Sequence, residues 1–152
     1  MHLRRVAQSG SPRTKACMPI FISATGTDIG KTLLSALIMA RYGVALGLRY
    51  CKPVQTGPDS DRATVQALSG LGDAFFLPEF MSLPLAASPH WAAEQAQSPI
   101  DTGALCADLT SRRGAAQVLE LAGGVMVPLS RSFTNLDLMR QVGFTTLLVA
   151  AT

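Results

Sequence analysis

A single succession constrains this chain more than any other feature. The apolar run Ile20-Phe21-Ile22-Ser23-Ala24 leads through Thr25-Gly26-Thr27-Asp28-Ile29-Gly30 into Lys31-Thr32 and a helical pattern. A buried strand, a Gly/Thr turn and a helix start place backbone N–H groups and the positive end of the helix dipole where an anion can sit. Lys31 would reach terminal phosphates, and Thr32 would offer its hydroxyl to Mg²⁺. The general phosphate-loop pattern has its first glycine at position 25, where this chain has Thr25 followed by Gly26. The competing reading is a surface turn with a fortuitous Gly-Lys-Thr.

The rest of the chain alternates strand and helix signals. Leu33, Leu34, Leu37, Ile38 and Ala40 recur at helical spacing over Lys31–Tyr42, with Gly43 and Gly47 read as breaks. A second strand over Arg49–Lys52 is stopped by Pro53, and Gln55–Ser60 is turn-rich. Ser60-Asp61 caps a helix to about Ser69. Residues 70–100, interrupted by Pro78, Pro84, Pro89 and Pro99, read as loops with a short helix near His90–Gln97. A helix over Thr102–Arg112 with Leu105 and Leu109 inward, a buried strand over Ala116–Glu120, a helix over Phe133–Gln141 and an apolar strand over Thr145–Ala151 complete the pattern. Such alternation implies right-handed crossovers and a mostly parallel sheet flanked by helices. The chain stops inside its last strand, so the domain is expected to be incomplete at that end.

Composition narrows the class. At 152 residues, 48% hydrophobic and 15% charged, the chain fits one packed domain rather than disorder, and no apolar run is long enough for a membrane helix. The +3 charge comes from the first twenty residues, where Arg4, Arg5, Arg13 and Lys15 meet no acid; the remainder holds nine basic against ten acidic residues. That balance gives no charge argument for nucleic acid or membrane partners. Cys17, Cys51 and Cys106 fit neither a disulfide framework nor a zinc pattern and suggest a reducing, cytoplasmic setting. Residues 1–18 read as a disordered basic extension, either a transit-like segment or translation from a start upstream of Met18. The methionines and Trp91 are read as packing residues.

Further segments converge with the first. Lys52-Pro53-Val54-Gln55-Thr56-Gly57 follows the second strand, Ser60-Asp61 comes next, Ser88-Pro89-His90 lies mid-chain, and Glu120-Leu121-Ala122-Gly123-Gly124 follows the third strand. In an open α/β sheet, residues just past the carboxyl ends of strands share one crevice. In this order and spacing, from Pro19 to Thr152, the set resembles the dethiobiotin synthetase family of P-loop NTPase-like ligases. The resemblance implies a reaction. The diamine 7,8-diaminononanoate takes up CO₂ as a carbamate, ATP phosphorylates it, and the second amine closes a cyclic urea. It also implies a homodimer.

Carried over by position, the resemblance makes Thr27, Asp28, Ile29, Gly30, Lys31, Thr32 and Leu33 the phosphate-binding loop. Asp61, Glu120, Leu121, Ala122 and Gly123 also become ATP-binding. Thr32, Asp61 and Glu120 would ligate Mg²⁺, Lys52 would be catalytic, and Thr56 would contact the substrate. Blander readings stand beside these: Asp61 as a helix cap, Glu120 as a solvated strand end, Lys52 as a surface lysine, and Ser88-Pro89-His90 as a turn.

The chain departs from the family pattern at three places. Ala24 stands where the family has glycine, with a Cβ at a point of close approach, and Gly26 stands where it has Asp. Leu121 replaces a glycine and is expected to crowd the nucleotide or shift Glu120. The family's adenine-contacting segments have no counterpart here. These departures favour one rival to the ligase, a non-catalytic nucleotide-binding remnant; a second rival, another P-loop ATPase or amide ligase, is opposed by Lys52–Gly57 together with Ser60-Asp61, because a generic ATPase needs no such lysine segment.

Overall fold

The computed structural model describes residues 18–150. Residues 1–17 of the basic extension, Cys17 among them, and Ala151 at the end of the expected fourth strand lie outside them, as does Thr152. The order is β1 (Ile20–Ala24), α1 (Lys31–Leu46), β2 (Arg49–Cys51), β3 (Val54–Thr56), α2 (Asp61–Ser69), a 3-10 turn (Asp73–Phe75) and β4 (Met81–Leu83). It continues with α3 (Pro89–Gln95), α4 (Thr102–Ser111), β5 (Gln117–Glu120), β6 (Pro128–Ser130), β7 (Phe133–Thr134), α5 (Asn135–Val142) and β8 (Thr145–Val149).

Strands β2, β5, β1 and β8 form a parallel sheet in that spatial order. The period-2 alternation of strands sorts its side chains onto two faces. Ile22, Tyr50 and Val118 pack with Ala36 and Met39 of α1 and Val65 of α2. Phe21, Cys51, Leu119 and Leu121 pack on the other face with Leu105 and Leu109 of α4 and Leu138 and Val142 of α5. Helices thus cover both faces, as the alternating pattern implied.

Several elements differ from expectation. Gly43 does not end α1; the helix runs to Leu46 and stops at Gly47, which is left-handed (φ 60°). Gly43 is a packing residue, because a Cβ there would lie 2.6 Å from Leu71 Cδ1. The inward face of α1 is built from Ser35, Ala36, Met39 and Gly43, while Leu33 and Leu37 are 56% and 58% exposed. A run of apolar residues on nearly every face left its phase ambiguous. Gln55 and Thr56, expected in a turn-rich stretch, belong to β3, which pairs in parallel with β4, a second strand hidden among prolines. The expected helix over Phe133–Gln141 begins at Asn135, after the short antiparallel β6–β7 pair. Trp91 is 47% exposed and Met18 and Met126 are also exposed, so these are not packing residues.

Candidate active site

The cleft at the carboxyl ends of the parallel strands is built from the loops that leave β1, β2 and β5. The loop after β1 is anchored at its root: Val125 N–H donates to Ala24 O at 2.8 Å, and Thr25 N–H donates to Val149 O at 3.0 Å. Gly124 permits this approach, since a Cβ there would lie 3.1 Å from Ala24 O and 3.2 Å from Gly26 N. The loop then turns through Asp28 (φ 54°) and Gly30 (φ 98°), both left-handed, and opens α1 with Lys31 and Thr32. Asp is among the few residues besides glycine that enter that region readily.

The resulting cleft has a volume of about 650 Å³. The phosphate-loop residues Thr27, Asp28, Gly30, Lys31 and Thr32 line one part of it. Lys52, Thr56 and Asp61 come from the second strand and the segment after it, and Glu120, Ala122 and Gly123 from the end of β5. Ala86, Ala87 and Ser88 close the remaining side. Most of the residues singled out from sequence therefore meet in one place.

Two acids and one hydroxyl converge at its floor. Thr32 Oγ1 stands 2.8 Å from Glu120 Oε1 and 3.0 Å from Asp61 Oδ1. One hydroxyl carries one proton and can donate to only one carboxylate at a time. The other contact then sets a lone pair against an anion. Three hard oxygens so arranged are a fitting donor set for a small divalent cation.

Lys52 Nζ pairs with Asp61 Oδ2. Lys31 Nζ donates to Gly26 O at 3.3 Å. Burial holds the Lys31 ammonium below its ordinary value of 10.5; Lys52 pushes the same way, while Glu120, Asp61 and Asp28 oppose the shift. A lysine shed of water in this way gains when an anion arrives.

The blander readings of three residues fail on burial and capping. Glu120 is 1% exposed and Lys52 8%, so neither is a solvated surface group. Asp61 is not the helix cap: Ser60 Oγ accepts from Ala63 N–H at 3.2 Å, which leaves the Asp61 carboxylate for the cleft.

Two expectations of crowding are corrected, at Ala24 and at Leu121. Ala24 is an ordinary buried strand residue without positive φ. Leu121 neither has positive φ nor lines the cleft. Its N–H donates to Ile22 O at 2.9 Å, and its side chain joins the α4/α5 core. The reason is strand parity: Glu120 points toward α1, so Leu121 points away. Ile29 and Leu33 are not among the residues lining the cleft. The motif Ser88-Pro89-His90 splits. Ser88 lines the main cleft, while His90 lines a separate cavity of about 210 Å³, with its Nδ1 3.1 Å from Ser88 Oγ.

Several supporting residues were not read from sequence. Ser35 Oγ and Tyr50 Oη both donate to Glu120 Oε2, at 2.7 and 3.1 Å. Burial first, then the Glu120 charge, push the Tyr50 phenol well above its ordinary 10.0, so it stays protonated and donates. Gln55 Nε2 donates to the carbonyls of Thr56 and Asp59 at 2.9 and 2.8 Å and shapes the approach to Asp61. Asn135 Nδ2 donates to Ala122 O and Gly124 O at 2.7 and 2.9 Å and ties the glycine loop to α5. Ser35, one turn past Thr32 on the same helix face, was the one with a readable signal.

A parallel sheet whose first strand opens into a left-handed glycine and a Lys-Thr helix start defines a P-loop nucleotide-binding domain. The AAA domain family profile matches residues 19–152, and the chain belongs to that family. Relatives carrying the name ATP-dependent dethiobiotin synthetase are similar to it. The Leptospira interrogans protein is 47% identical over 135 residues, 89% of this chain and 61% of that relative. Those of Rhodopseudomonas palustris and Nitrobacter hamburgensis are 44% and 42% identical over 79% and 88% of this chain, and 54% and 60% of their own lengths. The chain thus spans a little over half to three-fifths of the length of these relatives. Among the described residues no helix is long and apolar enough to cross a membrane.

Proposed function

We propose that this chain is the ATP-handling part of a Mg²⁺-dependent dethiobiotin synthetase, which joins CO₂ to 7,8-diaminononanoate and closes the cyclic urea in the cytoplasm. Assembly as a homodimer belongs to the same proposal. The observation that carries it is the convergence of Lys31, Lys52, Thr32, Asp61 and Glu120 on one cleft. A generic ATPase needs the first lysine and the acids. A second buried lysine from the next strand is what a ligase needs to hold an anionic carbamate beside an incoming phosphoryl group.

The roles follow from chemistry and position. The backbone N–H groups from Asp28 to Leu33, with Lys31, bind the phosphates of ATP. Thr32, Asp61 and Glu120 would hold Mg²⁺, which would supply charge neutralisation on the phosphate oxygens. Lys52 holds the carbamate against the γ-phosphate, so that two anions meet across a cation rather than directly. Lys52, paired with Asp61 in this structure, would be free to face substrate where that carboxylate served a cation instead. Thr56 contacts the diamine, and Asp28 and Ala122–Gly123 border the phosphates.

The test is ADP release by the purified chain with Mg-ATP and bicarbonate, with and without 7,8-diaminononanoate, and mass analysis of the product. Diamine-dependent ADP release with a cyclic urea product is expected. Absence of release from a folded sample that binds ATP overturns the ligase reading for this chain and leaves a nucleotide-binding module.

A further inference from the structure

The two carboxylate oxygens of Glu120 keep different company. Oε1 faces Thr32 Oγ1 on the cleft side, at 2.8 Å. Oε2 faces inward and accepts from Ser35 Oγ at 2.7 Å and Tyr50 Oη at 3.1 Å. Both donors are fully buried. Their positions are fixed by regular structure: Ser35 sits on α1 one turn beyond Thr32, and the β2–β5 register sets Tyr50 opposite Val118, two residues before Glu120 on the same face. Asp61 shows the same division, with Oδ1 toward Thr32 and Oδ2 toward Lys52.

Resting on the reading of Glu120 as a cation ligand, we propose that Ser35 and Tyr50 are positioning residues that restrict Glu120 to one ligating oxygen and so select Mg²⁺ over Ca²⁺. Ca²⁺ takes about six to eight oxygens and commonly uses both oxygens of a carboxylate; Mg²⁺ holds to an octahedron of shorter bonds and uses one. For Glu120 to offer both oxygens, its carboxylate must swing away from two buried hydroxyls and leave them unpaired in the interior. The smaller ion needs no such movement. Partners behind a ligand tune a metal site in this way without touching the ion.

The experiment uses Mn²⁺ as the octahedral probe, with free Mn²⁺ read from its electron paramagnetic resonance signal and Ca²⁺ added as competitor. It compares the wild type with Tyr50→Phe, Ser35→Ala and the double variant, each checked for a cooperative thermal transition. Ca²⁺ is expected to compete weakly in the wild type. In the double variant the ratio of Ca²⁺ to Mn²⁺ dissociation constants is expected to fall roughly tenfold, with smaller falls in the single variants. If the double variant does not fold, the single variants carry the comparison. Wild-type Mn²⁺ binding with an unchanged ratio in the folded variants, including a parallel loss of both affinities, overturns the inference and leaves the cation site standing. A wild type that binds no Mn²⁺ overturns both.

Discussion

Lys52, at the end of β2, pairs with Asp61, in the first turn of α2, so the second lysine of the cleft is held by one of its two acids. Lys52 is 8% exposed, and the Asp61 carboxylate that holds it faces Thr32 through its other oxygen. Replacing Lys52 with Ala is expected to leave ATP affinity near the wild-type value, because Lys31 and the loop N–H groups remain. Turnover with the diamine is expected to fall by about 100-fold or more, the scale of losing one preorganised charge at a reacting anion. Parallel measurements of ATP binding by calorimetry and of ADP release check this. Full activity in the Lys52→Ala variant ends the assignment of this lysine.

Leu121 provides the clearest reversal of a sequence-based expectation. A glycine at this position was expected to relieve crowding at the nucleotide. The side chain instead packs among Phe21, Leu119, Leu138 and Val142. Leu121→Gly is thus expected to destabilise the fold by about 3–5 kcal/mol, from a lost core side chain and a freer backbone. ATP affinity of the folded fraction is expected to stay unchanged. Chemical denaturation gives the first quantity and calorimetry the second; a tighter ATP complex would restore the crowding argument.

The legibility of the sequence follows a physical line. The phosphate loop, Lys52 and Glu120 were readable because each lies at or just past the end of a strand, where topology alone directs it to the cleft; Asp61, the first residue of α2, was readable only through the family resemblance. Two of the long helices were readable too, because Ser60 and Asp101 are caps whose side chains accept from Ala63 and Ala104 N–H. Beyond these, what failed depended on orientation. The inward phase of α1 was lost among apolar residues, and the facing of Leu121 required knowing the parity of β5. Strand β4 is three residues long and gains its identity only from pairing with β3. Tyr50 carries no local mark of its bond to Glu120, which exists only because β2 and β5 are neighbours.

Asn135 has no sequence signal and a large expected effect. Its amide donates to two carbonyls of the glycine loop from a fully buried position. Asn135→Ala leaves Ala122 O unpaired in the interior, while Gly124 O keeps the Val127 N–H at 3.1 Å, at a cost of about 1–3 kcal/mol. The urea midpoint is expected to fall with little change in the slope. Because Ala122 and Gly123 line the cleft, ATP affinity is expected to weaken as well. A variant as stable as the wild type would show that water replaces the amide.

Alkaline pH tests the buried groups of β2. Burial is the main cause that raises the Cys51 thiol from its ordinary 9.0 to about 11, with the neighbouring Arg112 partly opposing it. The unfolded chain loses this proton first, so between pH 9 and about 11 the folded state binds more protons and stability falls as pH rises. Across that window the loss from one such group is of order 2–3 kcal/mol. The raised Tyr50 phenol acts with the same sign from pH 10 upward. Cys51→Ala is expected to cost about 1 kcal/mol at pH 8 for the sulfur-sized gap. Its stability is expected to decline less steeply than the wild type's between pH 9 and 10.5, so that the two curves converge. Urea midpoints measured at half-unit steps from pH 8 decide the point; parallel curves would mean that the thiol does not contribute to the alkaline loss.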